Sequence, residues 1–347
     1  METNSTRQSC PDMNDKMTDT PVMAATPLDT AAHLTIRDIL GGWMVRWGIG
    51  RMNYKVRPGL YRIGNPDHAA PVLVTANYKL TFDNVRKELS GLDVWLLVLD
   101  TNGVNVWCAA GKGTFGTGEL VRRMAHVDLG RFVSHRTVIL PQLGAPGIAA
   151  HDVRKATGFR VIYGPVYARD IRHFLENDMH PAPCMRRVHF NLSERLSVMP
   201  MQIVPALKSL PVIILILALF RIFDKTGINI GLWMDFIPYL GAVVTGTVLY
   251  PILIPWIPGR SFALNGWVLG LIWALLINLI DDFTIWKAVS HMLILPVITS
   301  LLAFTFTGST TFTSLSGVIR EVRIALPLMI AGIGTGVAVR VISFFIS

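Results

Sequence analysis

Between residues 105 and 118 the chain reads Asn-Val-Trp-Cys-Ala-Ala-Gly-Lys-Gly-Thr-Phe-Gly-Thr-Gly, small residues gathered around one thiol, Cys108, and one cation, Lys112. Gly111, Gly113 and Gly116 have the spacing of a dinucleotide-binding loop, so a nucleotide is one reading. Such a site also needs an acidic residue at the end of the next strand, and the strand predicted at 137–140 runs into Pro141 and Gln142 instead. A Walker A loop is excluded, because Gly113 follows Lys112 where a Ser or Thr must meet magnesium. The sulfur of Cys108 lies near Lys112 and near a helix predicted to start at Thr117, a setting for a reactive or metal-ligating thiol. A buried structural cysteine and a nucleophile paired with histidine are the other readings, and none of the nine histidines falls in a recognisable partner motif.

The elements that must position this stretch are those of an α/β domain. Buried strands are expected at 72–75, 93–100, 137–140 and 160–163. Helices are expected at 81–89 with Thr81 as N-cap, from Thr117 with its own hydroxyl as cap and Glu119 in the first turn, and at 149–157 and 168–177. Together they predict a small, mostly parallel sheet wrapped by helices. Cys10, Cys108 and Cys184 are too scattered for a disulfide framework, and no CxxC or HExxH is present, which points to a reducing compartment. Residues 1–30 lack the basic and apolar regions of a secretory signal and are expected to be a disordered tail.

The second half is of another kind. Of the 347 residues 51% are hydrophobic and 16% charged, which excludes a disordered or fibrous protein. Only 13 of the 55 charged side chains follow Val198. Apolar stretches at 203–223, 237–257, 262–280, 288–307 and 324–345 each reach the ~20 residues a bilayer core requires. Arg186, Arg187, Arg195, Lys208, Arg260, Arg320 and Arg323 flank them on one side. Asp224, Lys225, Asp235, Asp281, Asp282 and Lys287 flank them on the other. Cytoplasmic loops collect Lys and Arg, so the α/β domain is expected in the cytoplasm and the multi-pass part in the cytoplasmic (inner) membrane. Lys208, Arg221 and Arg340 fall near span ends, where snorkelling accounts for them, and Gly332, Gly334 and Gly336 permit close helix packing. The net charge of +9 is spread without a Lys/Arg run, which argues against nucleic acid as a partner.

The string at 105–112, NVWCAAGK, resembles the signature of the mercury-methylation corrinoid protein (HgcA) family. The likeness continues through GTFGTGEL at 113–120, VLVTANYKLTFD at 72–83 and GPVYARDI at 164–171, and through the order of a soluble domain followed by five membrane helices. The soluble domain is also similar, more distantly, to the corrinoid domain of the corrinoid iron–sulfur protein of acetyl-CoA synthesis. The resemblance implies a Rossmann-like corrinoid-binding α/β domain, placed at 31–178; the prolines and basic residues between 179 and 202 read as a linker along the membrane surface, and the apolar runs as an all-α membrane domain of five transmembrane helices at 203–347. The resemblance also implies a corrinoid (cobalamin) cofactor with Cys108 as catalytic residue and lower axial ligand of its cobalt. Thr75, Asn105, Val106, Trp107, Ala109, Ala110, Gly111, Lys112 and Ala168 would be the other cofactor-binding residues. The activity it implies is transfer of a methyl group from Cys-ligated methylcobalamin to Hg(II) in an anaerobe. The implied partners are a ferredoxin-like protein with two [4Fe–4S] clusters, a methyl donor system linked to methyltetrahydrofolate, and membrane lipid. A corrinoid methyl carrier of one-carbon and acetyl-CoA metabolism, and a membrane transporter with a nucleotide-binding domain, are the alternative functions.

Overall fold

The computed structural model describes residues 26–281, 283–310 and 315–346. The tail expected at 1–30 lies outside the described residues as far as residue 25, and with it Cys10; Leu28–Asp29 form a short strand. Asp282 is also outside them. By compactness the chain divides into two units, Met1–His33 with Val56–Gly164 and Leu34–Lys55 with Pro165–Ser347.

The first unit is a six-stranded mixed sheet. Its strands are β1 (Leu28–Asp29), β2 (Gly59–Ile63), β3 (Val72–Ala76), β4 (Val94–Leu99), β5 (Thr137–Leu140) and β6 (Arg160–Tyr163), in the spatial order β1-β2-β4-β3-β5-β6. Strands β4, β3, β5 and β6 are parallel, while β2 runs antiparallel to β4 and carries β1 on its outer side. The sequence pattern anticipated the four parallel strands and missed the antiparallel edge, a common addition to doubly wound sheets. Every residue of β3 and β4 is buried, because helices cover both faces. The core gathers Val72, Val74, Leu97, Leu99, Val138 and Leu140 from the sheet.

Helix α2 (Lys79–Glu88) starts before Thr81, which lies inside its first turn and does not cap it. Helix α4 (Thr117–His126) is preceded by Gly116 as cap residue, and the Thr117 hydroxyl is turned to another task, accepting the Ala149 N–H ahead of α5 (Ala150–Thr157) at 2.9 Å. Between β4 and α4 stands a helix that the sequence pattern did not predict, α3 (Val106–Lys112).

The second unit is helical. It holds α1 (Ile36–Arg46), a turn at Ala168–Asp170 leading into α6 (Ile171–Glu176), α7 (Leu192–Val198) and α8 (Pro200–Phe223). Then come α9 (Gly231–Val244), α10 (Tyr250–Leu253), α11 (Phe262–Ile280), α12 (Ile285–Thr305) and α13 (Leu315–Ile346). A π-turn at Thr245–Leu249 joins α9 and α10 into one long element. Among the described residues five helices are long and apolar enough to cross a membrane: Pro200–Phe223, Gly231–Leu253, Phe262–Ile280, Ile285–Gly308 and Ser316–Ile346. Helix α12 is the most enclosed of them and α11 lies hard against it. A Cβ at Gly266 would stand 2.4 Å from the Ala303 Cβ, and one at Gly270 2.6 Å from the Pro296 Cα.

Snorkelling does not describe Arg221 and Arg340, two of the three cations it was expected to explain; the third, Lys208, is exposed. Asp235 lies inside α9 and binds both Arg221 of α8, at 2.8 Å, and Lys287 of α12, at 2.9 Å. Arg340 of α13 pairs with Asp224 and lies over the Phe344 ring at 5.1 Å. Each of these side chains is at most a quarter exposed, so the charges are held by partners on other helices.

Candidate functional site

Parallel strands bind ligands beyond their carboxyl ends, at the point where the strand order turns back. Here that point lies between β3 and β5, since β4 joins one side of β3 and β5 the other. Three chain segments meet at this edge: the residues after β3, the turn and helix after β4, and the turn after β5.

Asn77, one residue past β3, organises the first two. Its Oδ1 accepts the backbone N–H groups of Thr101 and Gly103 at 3.1 and 2.9 Å, and its Nδ2 donates to Asp100 at 2.9 Å. Asn102 and Gly103 both take left-handed backbone conformations, with φ of 56° and 74°, and the Thr101 hydroxyl closes this tight turn by donating to the Val104 carbonyl at 2.6 Å. From the far side Glu119 of α4 accepts the Asp100 N–H at 2.9 Å and binds Arg123. The chain therefore enters α3 along a fixed path.

Asn105 is the N-cap of α3, its Oδ1 accepting the Cys108 N–H at 2.9 Å. Gly113, at φ 80°, ends the helix. Val106, Ala109 and Ala110 are buried and fasten α3 to the core. Trp107, Cys108, Gly111 and Lys112 are left on the outer face, where Cys108 is a half-buried free thiol and Lys112 is exposed. A Cβ at Gly111 would meet nothing within 4 Å, so the surface beside the thiol is open.

The turn after β5, Gln142–Gly147, packs on the inner side of α3. Its Gly147 cannot carry a side chain, because a Cβ would stand 2.1 Å from the Phe115 carbonyl oxygen and 3.1 Å from the Ala110 Cα. Phe115 itself is fully buried. Among the described residues two polar atoms at this edge are buried without a hydrogen-bond partner, Thr75 Oγ1 on β3 and Gln142 Oε1 after β5. They flank the reversal of strand order, and such atoms are costly unless something supplies a partner.

Of the residues anticipated from sequence, the structure brings together Thr75 and the whole of 105–112 in the first unit; Ala168 belongs to the second. Asn105 acts on the helix as its cap. Asn77 and Gln142 were missed: each is a polar residue following an apolar strand, and only their distance from the edge along the chain could have drawn attention to them.

These features define an α/β unit that presents one thiol on a capped helix at the carboxyl edge of its parallel strands. The family profile CdhD, described as CO dehydrogenase/acetyl-CoA synthase delta subunit, matches residues 49–175. The acetyl-CoA decarbonylase/synthase complex subunit gamma of Methanopyrus kandleri is 40% identical over 127 residues, 36% of this chain and 27% of that protein. The subunit of the same name from Methanocaldococcus jannaschii is 35% identical over 125 residues, 35% of this chain and 25% of its own length. That of Archaeoglobus fulgidus is 32% identical over 133 residues, 38% and 28% of the two chains. The chain thus spans about a quarter of the length of these relatives.

These findings correct the expectation of a mercury-methylation family. Both the profile and the relatives carry the names of acetyl-CoA chemistry, and with that the reading as a mercury methyltransferase with Hg(II) as substrate is set aside. The physical reason lies in what NVWCAAGK builds. It forms a capped helix that presents a thiol, and it carries no information about the molecule that receives a group transferred there.

Proposed function

We propose that this chain is a corrinoid-binding methyl carrier of one-carbon and acetyl-CoA metabolism, held at a membrane by its five apolar helices. The observation that carries the reading is the half-buried thiol of Cys108 on the outer face of α3, beside open space over Gly111 and at the edge where Thr75 Oγ1 and Gln142 Oε1 are buried without partners. An amide-fringed macrocycle fits this edge: it is broad enough to need the open face and carries amide donors and acceptors for the Thr75 hydroxyl and the Gln142 oxygen. When bound, a corrinoid supplies a cobalt centre able to accept and release a methyl group.

The protein's own residues fix the presentation. Cys108 would hold the metal from the protein side, and Trp107, Gly111 and Lys112 share its face. Asn105 holds the Cys108 backbone, and Asn77 holds the turn that sets the direction of α3. Ala109 and Ala110 act through packing, keeping α3 close to the turn after β5. Ala168, in the second unit, is assigned no contact by these interactions.

The names of the relatives, subunits of a multi-subunit complex, support partners for this chain as well. We assign it an electron donor of the ferredoxin type with two [4Fe–4S] clusters and a methyl donor linked to methyltetrahydrofolate. The basic flanks of the helices support a cytoplasmic α/β unit on the inner membrane.

The test is anaerobic reconstitution of the full chain with cobalamin, with cobalt counted per polypeptide and the visible spectrum recorded. Stoichiometric cobalt, and a methyl group received from a methyltetrahydrofolate-linked donor, are the expected results. A chain that retains no cobalt after gel filtration contradicts the reading.

A further inference from the structure

Helix α1 turns its apolar residues away from the protein. Ile36, Ile39, Leu40, Trp43, Met44 and Trp47 recur every three or four residues and so form one stripe. They are 75, 52, 57, 61, 49 and 37% exposed. The packed face is the opposite one, where Gly42 and Val45 are buried and the Tyr54 hydroxyl donates to the Asp38 carbonyl at 3.4 Å. The helix is well defined, because Thr35 and Asp38 form a reciprocal capping box. An amphipathic helix in water buries its apolar stripe, so this orientation calls for an apolar phase outside the protein.

Three observations say which phase. First, α1 belongs to the same compact unit as the five long apolar helices, and a Cβ on Gly48, just past its end, would stand 3.9 Å from Val204 in the opening turns of α8. That is the end of α8 preceded in the chain by the exposed Arg186 and Arg187. Second, two tryptophans in the stripe, with Arg37, Arg46 and Arg51 around them, form the composition of a membrane interface, where indole rings sit at headgroup level and basic side chains meet anionic lipid. Third, α1 lies outside the 49–175 stretch that matches the family profile, as the five long apolar helices do.

We propose that α1 is an interfacial anchor, lying in the cytoplasmic surface of the bilayer with its Ile36-to-Trp47 stripe among the acyl chains. The proposal rests on reading the five long helices as membrane spans. Its consequence follows from connectivity. The chain leaves the α/β unit after His33, forms α1 and re-enters at Val56, so that the unit would be tethered to the membrane at both ends of α1 as well as after Gly164.

The test uses the full chain with Cys10, Cys108 and Cys184 replaced by serine, in nanodiscs of phosphatidylcholine and phosphatidylglycerol. A nitrobenzoxadiazole label is placed through Met44→Cys on the stripe, Leu219→Cys on α8 or Lys155→Cys on α5. Quenching by a shallow lipid-borne nitroxide is compared with quenching by aqueous iodide. The label at 44 is expected to match that at 219, with lipid quenching at least about fivefold stronger than at 155. Iodide access at 44 equal to that at 155, while 219 reports lipid, overturns the anchor and leaves the spans standing. Shielding of 44 from both quenchers also overturns it, since a protein then covers the stripe. An aqueous signal at 219 overturns the membrane reading itself.

Discussion

The side-chain oxygen of Asn77 stands 2.9 Å from the hydroxyl of Thr101, and these two residues, 1% and 0% exposed, tie the end of β3 to the end of β4. The same oxygen takes the N–H groups of Thr101 and Gly103, so one side chain satisfies most of the turn that launches α3. Asn77→Ala leaves these donors buried without a partner and is expected to destabilise the α/β unit by roughly 2–4 kcal/mol. Denaturant unfolding of the purified chain checks this, and an unchanged midpoint would remove Asn77 from its organising role.

Asn105 acts on a smaller scale. Its cap on the Cys108 N–H is a single hydrogen bond at a helix terminus, so Asn105→Ala is expected to cost about 1 kcal/mol, while Asn105→Ser or Asn105→Asp restores most of it. If Asn105 positions the thiol for a corrinoid, cobalt retention follows the same order. Equal retention in Asn105→Ala and Asn105→Ser proteins would confine the residue to fold stability.

The legibility of this molecule in its sequence follows from how far apart cooperating residues lie. Strands β3 and β4 declare themselves as unbroken apolar runs, and five long apolar helices stand close to where hydropathy put them. Strand β2, GLYRI, is too mixed in composition to stand out. Helix α3 was hidden because its seven residues show less than two turns of periodicity and contain a glycine; the usable signal was Asn105, a cap residue ahead of small and apolar residues. Asn77 and Gln142 matter through groups more than twenty residues away or through atoms that have no partner at all, and neither property is written locally. The ion pairs of Asp235 were hidden for the same reason, since Arg221 and Lys287 lie 14 and 52 positions off.

Cys108 offers a separation of fold from cofactor. Its side chain is half buried and serves no hydrogen bond among the described residues, so Cys108→Ala is expected to shift unfolding by no more than about 0.5 kcal/mol. The visible spectrum of the cobalt-loaded protein should nevertheless change, because a sulfur donor is lost. A spectrum identical to that of the unsubstituted chain would place the thiol away from the metal.

Asp235 is the shared acceptor of Arg221 and Lys287, which are 11 and 25% exposed. Asp235→Asn leaves two partly buried cations facing each other, at a cost of roughly 2–3 kcal/mol, toward the low end for buried pairs because each side chain keeps some contact with solvent. Thermal unfolding in detergent is the measure. Stability equal to that of the unsubstituted chain would mean that these charges are solvated and the helices pack without them.

Gly111 and Gly147 stand on opposite sides of α3 and separate ligand space from packing space. At Gly147 an added methyl would strike the Phe115 carbonyl and the Ala110 Cα, both backbone atoms that cannot step aside, so Gly147→Ala is expected to cost at least about 2 kcal/mol and to displace α3. At Gly111 the methyl meets nothing, and alanine is the better helix former by about 0.5–1 kcal/mol, so Gly111→Ala should leave the chain as stable or more stable. Its effect should fall on the cofactor, since the methyl would enter the open surface beside Cys108. The expected result is a protein with a raised unfolding midpoint and weakened corrinoid retention, a combination that no general damage to the fold produces. Undiminished retention in Gly111→Ala would show that the macrocycle does not lie over this face.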